Sequence, residues 1–172
     1  PLSIGIVALL LLSTVMLATP TSAKVIPGGY GGTVYTKPYS VNGSAVGLGN
    51  NFVVELWANM STPCFAYAYW FDWNDTLLSL QSYSVFPPTD IWTAGIFTAE
   101  DLLKDLNPVN LKNDRHSYSV SALGTPPGWA DDRKIASYTF KVMYEPVPPE
   151  PTLSCALDIT DKGFADENEN PI

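Results

Sequence analysis

From residue 52 onward the chain alternates between apolar and polar positions. Phe52, Val54, Leu56 and Ala58 fall on one side of an extended segment, and Val53, Glu55, Trp57 and Asn59 on the other. A period of two is the mark of a half-buried strand. The next run repeats the pattern with rings, setting Phe65, Tyr67, Tyr69, Phe71 and Trp73 against Ala66, Ala68, Trp70 and Asp72. So many large rings on one face need a core to fill. Further β-favouring runs at Thr33 to Val41, Leu77 to Val85, Tyr118 to Leu123, Ile135 to Tyr144 and Leu153 to Ile159 are separated by turn residues, and this spacing predicts an all-β antiparallel sandwich. One short helical excursion is expected from Thr98 to about Leu106. There Thr98 is placed to cap free amides, Asp101 follows three residues on in capping-box fashion, and Leu102, Leu103 and Leu106 supply a stripe before Asn107-Pro108.

The start of the chain follows a different rule. Ile4 to Leu12 is an unbroken apolar run, continued by Val15 to Ala18, and Thr21-Ser22-Ala23 precede the first charge at Lys24. Small residues at the first and third positions before a cut are what signal peptidase requires, so residues 1–23 read as a signal peptide cleaved after Ala23. An uncleaved N-terminal membrane anchor is the alternative, although the run is short against the roughly 20 apolar residues of a membrane span. Residues 24–32 read as a flexible Gly-rich lead-in, and 33–172 as one domain. Pro146, Pro148, Pro149 and Pro151 make Tyr144 to Thr152 a stiff crossover inside that domain.

Charge narrows the function. Nine Lys and Arg against seventeen Asp and Glu give a formal charge of −8 over 172 residues, which leaves no basic surface for phosphates and excludes nucleic acid as a partner. Three sequons, beginning at Asn42, Asn59 and Asn74, suit a secreted glycoprotein. The two cysteines, Cys64 and Cys155, form no metal-type pair, and an oxidising compartment would let them join. Such a disulfide would close a loop of about 90 residues and stabilise by about 4 kcal/mol.

Catalytic chemistry finds little support. The single histidine, His116, sits in Asp114-Arg115-His116-Ser117, which reads as a solvated polar turn. No Gly-x-Ser-x-Gly elbow is present, nothing selects a pair of carboxylates for glycoside hydrolysis, and Asp131-Asp132 reads as a solvated turn. The chain therefore reads as a non-enzyme without a cofactor. Asp166, Asn168 and Asn170 place oxygens at alternate positions, as a structural Ca²⁺ loop does. They lack the loop glycine and the distal bidentate Glu, and ordinary turn chemistry accounts for them. Trp57, Trp70, Trp92 and Trp129 are the aromatics available to face a sugar or to anchor a protein partner. Trp57 and Trp70 fall on the faces opposite the apolar ones of their strands, where large rings need a cover.

The order of these features resembles the cohesin family. Tyr69-Trp70-Phe71-Asp72-Trp73-Asn74-Asp75-Thr76-Leu77-Leu78 is similar to the family's pattern of alternating core residues leading to an aromatic, an Asp or Asn and then a Leu. Pro127-Gly128-Trp129, with Ile135 to Val142 after it, resembles the family's glycine turn and penultimate strand region, and Leu157-Asp158-Ile159 through Asn170, Pro171 and Ile172 its closing hairpin. The resemblance spans Thr33 to Ile172. It implies a jelly-roll-like sandwich of about nine strands that docks without catalysis onto a protein partner, of dockerin type or another surface protein, in adhesion or cell-surface assembly. Family members run on past the Asn-Pro-Ile position into a last strand that pairs with the first. Here either the domain is cut short before that strand, which is the favoured reading, or a neighbouring subunit donates it. Three expectations follow: a secreted or cell-surface docking module first, a carbohydrate-binding module that takes polysaccharide second, and a donor-strand filament subunit third.

Overall fold

The computed structural model describes residues 26–27, 31–104, 114–145, 155–168 and 170–171. Among them nine strands form two antiparallel sheets. The first has the order β1 (Ile26–Pro27), β2 (Gly32–Lys37), β3 (Asn51–Met60), β8 (Asp132–Val142) and β5 (Leu78–Val85). The second has the order β6 (Ile96–Lys104), β7 (Arg115–Ala122), β4 (Ala66–Asp72) and β9 (Asp158–Ala165).

The alternation read from sequence decides which faces meet. Val54, Leu56, Ala58 and Met60 of β3 are buried, as are Tyr138 and Phe140 of β8, and they face Tyr67, Tyr69 and Phe71 of β4 and Tyr118 and Val120 of β7. Rings interlock across the gap, with Phe71 and Tyr138 centroids 4.5 Å apart and Trp73 edge-on to Phe140 at 5.4 Å. Offset and tilted pairs of this kind add to the area they bury. Gly128 makes the close packing at one end possible, because a Cβ there would lie 2.5 Å from the Pro63 Cβ and 2.7 Å from a Phe65 ring carbon.

Two expectations are corrected, the helix at Thr98 and the bounds of the last strand. Thr98 to Lys104 is not helical but belongs to β6, and Leu106 lies outside the described residues. Pairing with β7 takes the place of the helix that Thr98 was expected to cap, and a register break between Thr98 and Glu100 shifts the alternation so that Phe97, Glu100 and Leu102 share one face, disguising the period of two. The only helix among the described residues is α1 (Gly43–Val46), whose first amides bond to the Asn42 side chain. The lead-in 24–32 contains β1, which pairs with Thr33 and Val34. The final strand is Asp158–Ala165 rather than Leu153 to Ile159 and adds to β4, the described residues before it, 155–157, being non-strand. Residues 1–23 and most of the proline-rich crossover lie outside the described residues, and no helix among the described residues is long and apolar enough to cross a membrane.

Candidate functional site

A sandwich buries its inner faces and offers its outer ones, so function is sought on two surfaces. On the four-stranded sheet the outward positions line up across strands. Phe97, Ser121, Ala66 and Ala165 form one row, Glu100, Ser119, Ala68 and Gly163 the next, and Leu102, Ser117 and Trp70 a third. The floor is thus made of small side chains. Its margin is apolar and open to solvent, with Phe97 58% exposed, Leu102 53% and Trp70 36%. An exposed apolar margin round a flat floor is the composition of a protein interface core.

A fourth row fixes one end of that floor. The Arg115 guanidinium donates to both Asp72 carboxylate oxygens at 2.6 Å, the Thr160 hydroxyl donates to the same carboxylate at 2.8 Å, and both charged side chains are mostly buried. The guanidinium lies 4.5 Å from the Trp70 ring centroid. A planar cation held by a bidentate pair is a rigid shelf for an aromatic ring, so Trp70 is presented in one orientation at little entropic cost. The Ser117 hydroxyl, on the row between Trp70 and Leu102, is buried without a hydrogen-bond partner among the described residues.

The outer face of the five-stranded sheet is built differently. Tyr35 donates its hydroxyl to Asp132 at 2.6 Å, Lys37 sits 3.5 Å from the Trp57 ring centroid, Trp57 donates its indole N–H to Glu55 at 2.9 Å, and Lys134 donates to Glu55 at 3.1 Å. Lys134 also approaches the Phe86 ring. The bond from Trp57, aided by that from Lys134, lowers the Glu55 carboxyl below its ordinary range, and partial burial beside Asp132 raises the Tyr35 phenol. Rings and charges on this face are taken up by one another.

The four tryptophans therefore do not meet on one surface. Trp92 and Trp129 are fully buried in the core, Trp129 bridging Cys64 through its backbone and donating its indole N–H to Asp131. This corrects their reading as partner-facing or sugar-facing rings. Trp57 and Trp70 lie on opposite sheets, so no planar strip of rings exists among the described residues.

The remaining candidates resolve as follows. Cys64 and Cys155 are free thiols at opposite ends of β4: Cys64 is buried before its first residue, whereas Cys155 accepts from the Asn74 amide beyond its last. Seven strand residues at about 3.3 Å each separate those ends, far beyond the span of a disulfide. Burial raises both thiols, Cys64 to about 11. Asp166 spends its carboxylate closing a turn, accepting from the Asn168 and Asn170 amides, and the Asn170 bond leads in lowering its pKa. Among the described residues no group of three or more His, Cys, Asp or Glu is placed to hold a metal. Asn42, Asn59 and Asn74 are all exposed and all lie off the four-stranded face, and Asn74 accepts from both the amide and the hydroxyl of Thr76. His116 is not solvated but fully buried in β7.

Sequence reasoning did not single out Phe97, Leu102, Arg115 or Asp72. The signal for β7 was present nonetheless, since His116, Tyr118, Val120 and Ala122 alternate with Arg115, Ser117, Ser119 and Ser121.

Two antiparallel sheets in this order make the fold of a cohesin module. The structure is similar to the non-cellulosomal cohesin from the hyperthermophilic archaeon Archaeoglobus fulgidus, at 10% identity over 73% of this chain and 74% of that one, with a TM-score of 0.50. It is also similar to the cohesin module of a Clostridium perfringens family 33 glycoside hydrolase, at 16% identity over 72% and 78%, with a TM-score of 0.48. A third likeness is to the second type II cohesin module of the ScaA scaffoldin of Acetivibrio cellulolyticus, at 15% identity over 81% of each chain, with a TM-score of 0.49. No protein-family model and no curated protein matches the sequence.

Proposed function

We propose that residues 33–172 are a non-catalytic docking module that takes a protein partner of dockerin type on the outer face of the four-stranded sheet, in adhesion or assembly outside the cell. The observation that carries this reading is the floor of small side chains between Phe97, Leu102 and the Arg115-backed Trp70. Small residues let a partner's backbone approach, exposed rings give it anchors, and the shelf under Trp70 lowers the ordering cost of binding. The leader-like residues 1–23 and the three sequons support the extracellular setting. With Trp92 and Trp129 in the core and the other two rings on opposite sheets, these four tryptophans offer a sugar no shared platform.

The test is a binding screen of the chain against a panel of purified dockerin modules, with Ala68→Arg on the proposed face and Val53→Arg on the other. Capture of a dockerin that Ala68→Arg abolishes and Val53→Arg leaves intact supports the assignment. Capture that only Val53→Arg abolishes, or no dockerin bound at all, overturns it.

A further inference from the structure

The edge strand β6 places one part-exposed carboxylate at the rim of the sandwich, facing its interior. Its register break leaves Glu100 opposite Ser119 on the outer face and sets Asp101 opposite the buried Tyr118. There Asp101 Oδ1 receives two bonds, from the Tyr83 hydroxyl of β5 and from His116 Nε2, each at 2.9 Å. On its far side His116 Nδ1 lies 2.6 Å from the Tyr138 hydroxyl of β8, and that hydroxyl lies 3.1 Å from Tyr69 of β4.

The protonation of this chain follows from its surface end. An ionised carboxylate only accepts, so His116 carries its hydrogen on Nε2 and Nδ1 is bare. Tyr138 then donates to Nδ1, and its oxygen accepts from Tyr69. Every donor has an acceptor, and five strands from both sheets are tied through one imidazole. Around His116 stand Tyr69 of β4, Tyr83 of β5, Asp101 and Glu100 of β6, Tyr118 of its own strand and Tyr138 of β8; the carboxylates of Asp101 and Glu100 are the charges that bear on it. Burial outweighs those two carboxylates and holds the imidazole below its ordinary range, so it is neutral at neutral pH.

A proton on Nδ1 breaks the order. Tyr138 can then only accept from His116, its own hydrogen must turn to Tyr69, and the Tyr69 hydroxyl loses its acceptor within the chain. A cation also enters a box walled by four tyrosine rings. Buried polar networks left part-satisfied lose more than one bond's worth of stability. Protonation strengthens the Nε2 bond to Asp101, but burial outweighs it, so the charged imidazole favours an opening that hydrates it. The strand best placed to open is β6, which lies at the sheet edge and is joined to the opposite sheet through Asp101 and Tyr83.

We propose that this chain is an acid-sensitive latch: protonation of His116 loosens β6 from the sandwich edge, and with it the Phe97, Glu100 and Leu102 margin of the docking face. The partner is then held at neutral pH and released in acid. That consequence rests on the docking reading, but the latch does not.

Backbone hydrogen exchange of the full chain, without partner, tests the latch separately from docking. Across a series from about pH 7.5 to about pH 4.5, corrected for intrinsic exchange, protection of Ile96–Lys104 is expected to fall about tenfold while β3 and β8 change little. His116→Gln retains an acceptor for Tyr138 and a donor for Asp101 without titrating, and its β6 protection is expected to be flat. Asp101→Asn removes a charge that favours the protonated imidazole, so the transition is expected to move to lower pH. The proposal is overturned if β6 falls only in step with β3 and β8, or if His116→Gln keeps the wild-type profile. Should that variant not fold, an unmoved midpoint in Asp101→Asn overturns it.

Discussion

The two outer faces of this sandwich solve the same problem in opposite ways. Both carry a tryptophan beside a cation and a carboxylate. On the five-stranded sheet Lys37, Trp57, Glu55 and Lys134 satisfy one another, and the face is complete as it stands. On the four-stranded sheet Arg115 is locked to Asp72, and Trp70 rests against its guanidinium beside a floor of alanine, serine and glycine. Ring content alone does not mark a binding surface. The two faces differ in what borders the ring: paired charged side chains on one, a row of small side chains on the other.

The ion pairs supply the sharpest break between the faces. Arg115 and Asp72 retain 17% and 14% side-chain exposure, whereas Lys134 and Glu55 retain 34% and 32%. Removing one partner of a mostly buried pair strands the other, so Arg115→Ala is expected to cost about 3 kcal/mol in denaturant unfolding, against about 0.5 kcal/mol for Lys134→Ala. Equal costs for the two variants would mean that the faces are not built differently.

Next in size is binding. An arginine at Ala68 stands in the middle of the floor, and the same residue at Val53 stands on the completed face. A steric and charged block at an interface centre is expected to weaken a captured dockerin about 100-fold, and the Val53 variant less than about twofold. Titration calorimetry with the captured module reads both. A comparable loss from the two sites would remove the functional distinction between the sheets.

Much of the fold, though not this contrast, was legible in the sequence. The alternations in Phe52 to Asn59 and Phe65 to Trp73 placed the core rings correctly, because a period of two survives wherever one face is buried. The class of fold followed from strand spacing and from the order of motifs. Two regions misled for physical reasons. In β6 the register break interrupts the alternation, and Thr98 and Asp101 imitate a helix cap, while pairing with β7 overrides that local preference. In β7 a polar run hides a buried His116, since its satisfaction depends on Tyr138 and Asp101, far apart in sequence. The floor proposed for docking was hidden for a related reason: small residues become a surface only when four strands bring them side by side.

A smaller effect distinguishes the faces through pH. Glu55 is held below its ordinary carboxyl range by bonds from Trp57 and Lys134. A depressed folded-state pKa contributes stability that is present above the unfolded value and lost as pH falls through the folded one. The melting temperature is therefore expected to decline as pH drops from about 5 to about 3, less steeply in Glu55→Gln than in wild type. An unchanged slope in the variant would show that the five-stranded network contributes nothing through this carboxylate.

The least effect belongs to Lys37, whose ammonium lies over the Trp57 ring and within 3.8 Å of Asp132. Both groups of that ion pair are about two-fifths exposed, so salt screens the pairing and water competes for the charge. Lys37→Met retains the apolar stem over the ring while discarding the charge, and a cost of about 0.5 kcal/mol is expected at low salt, vanishing near 1 M. The same variant leaves dockerin capture untouched if the five-stranded face is closed to partners. A Lys37→Met chain that gained a partner through Trp57 would show that this cation, rather than the completeness of the network, keeps the second face silent.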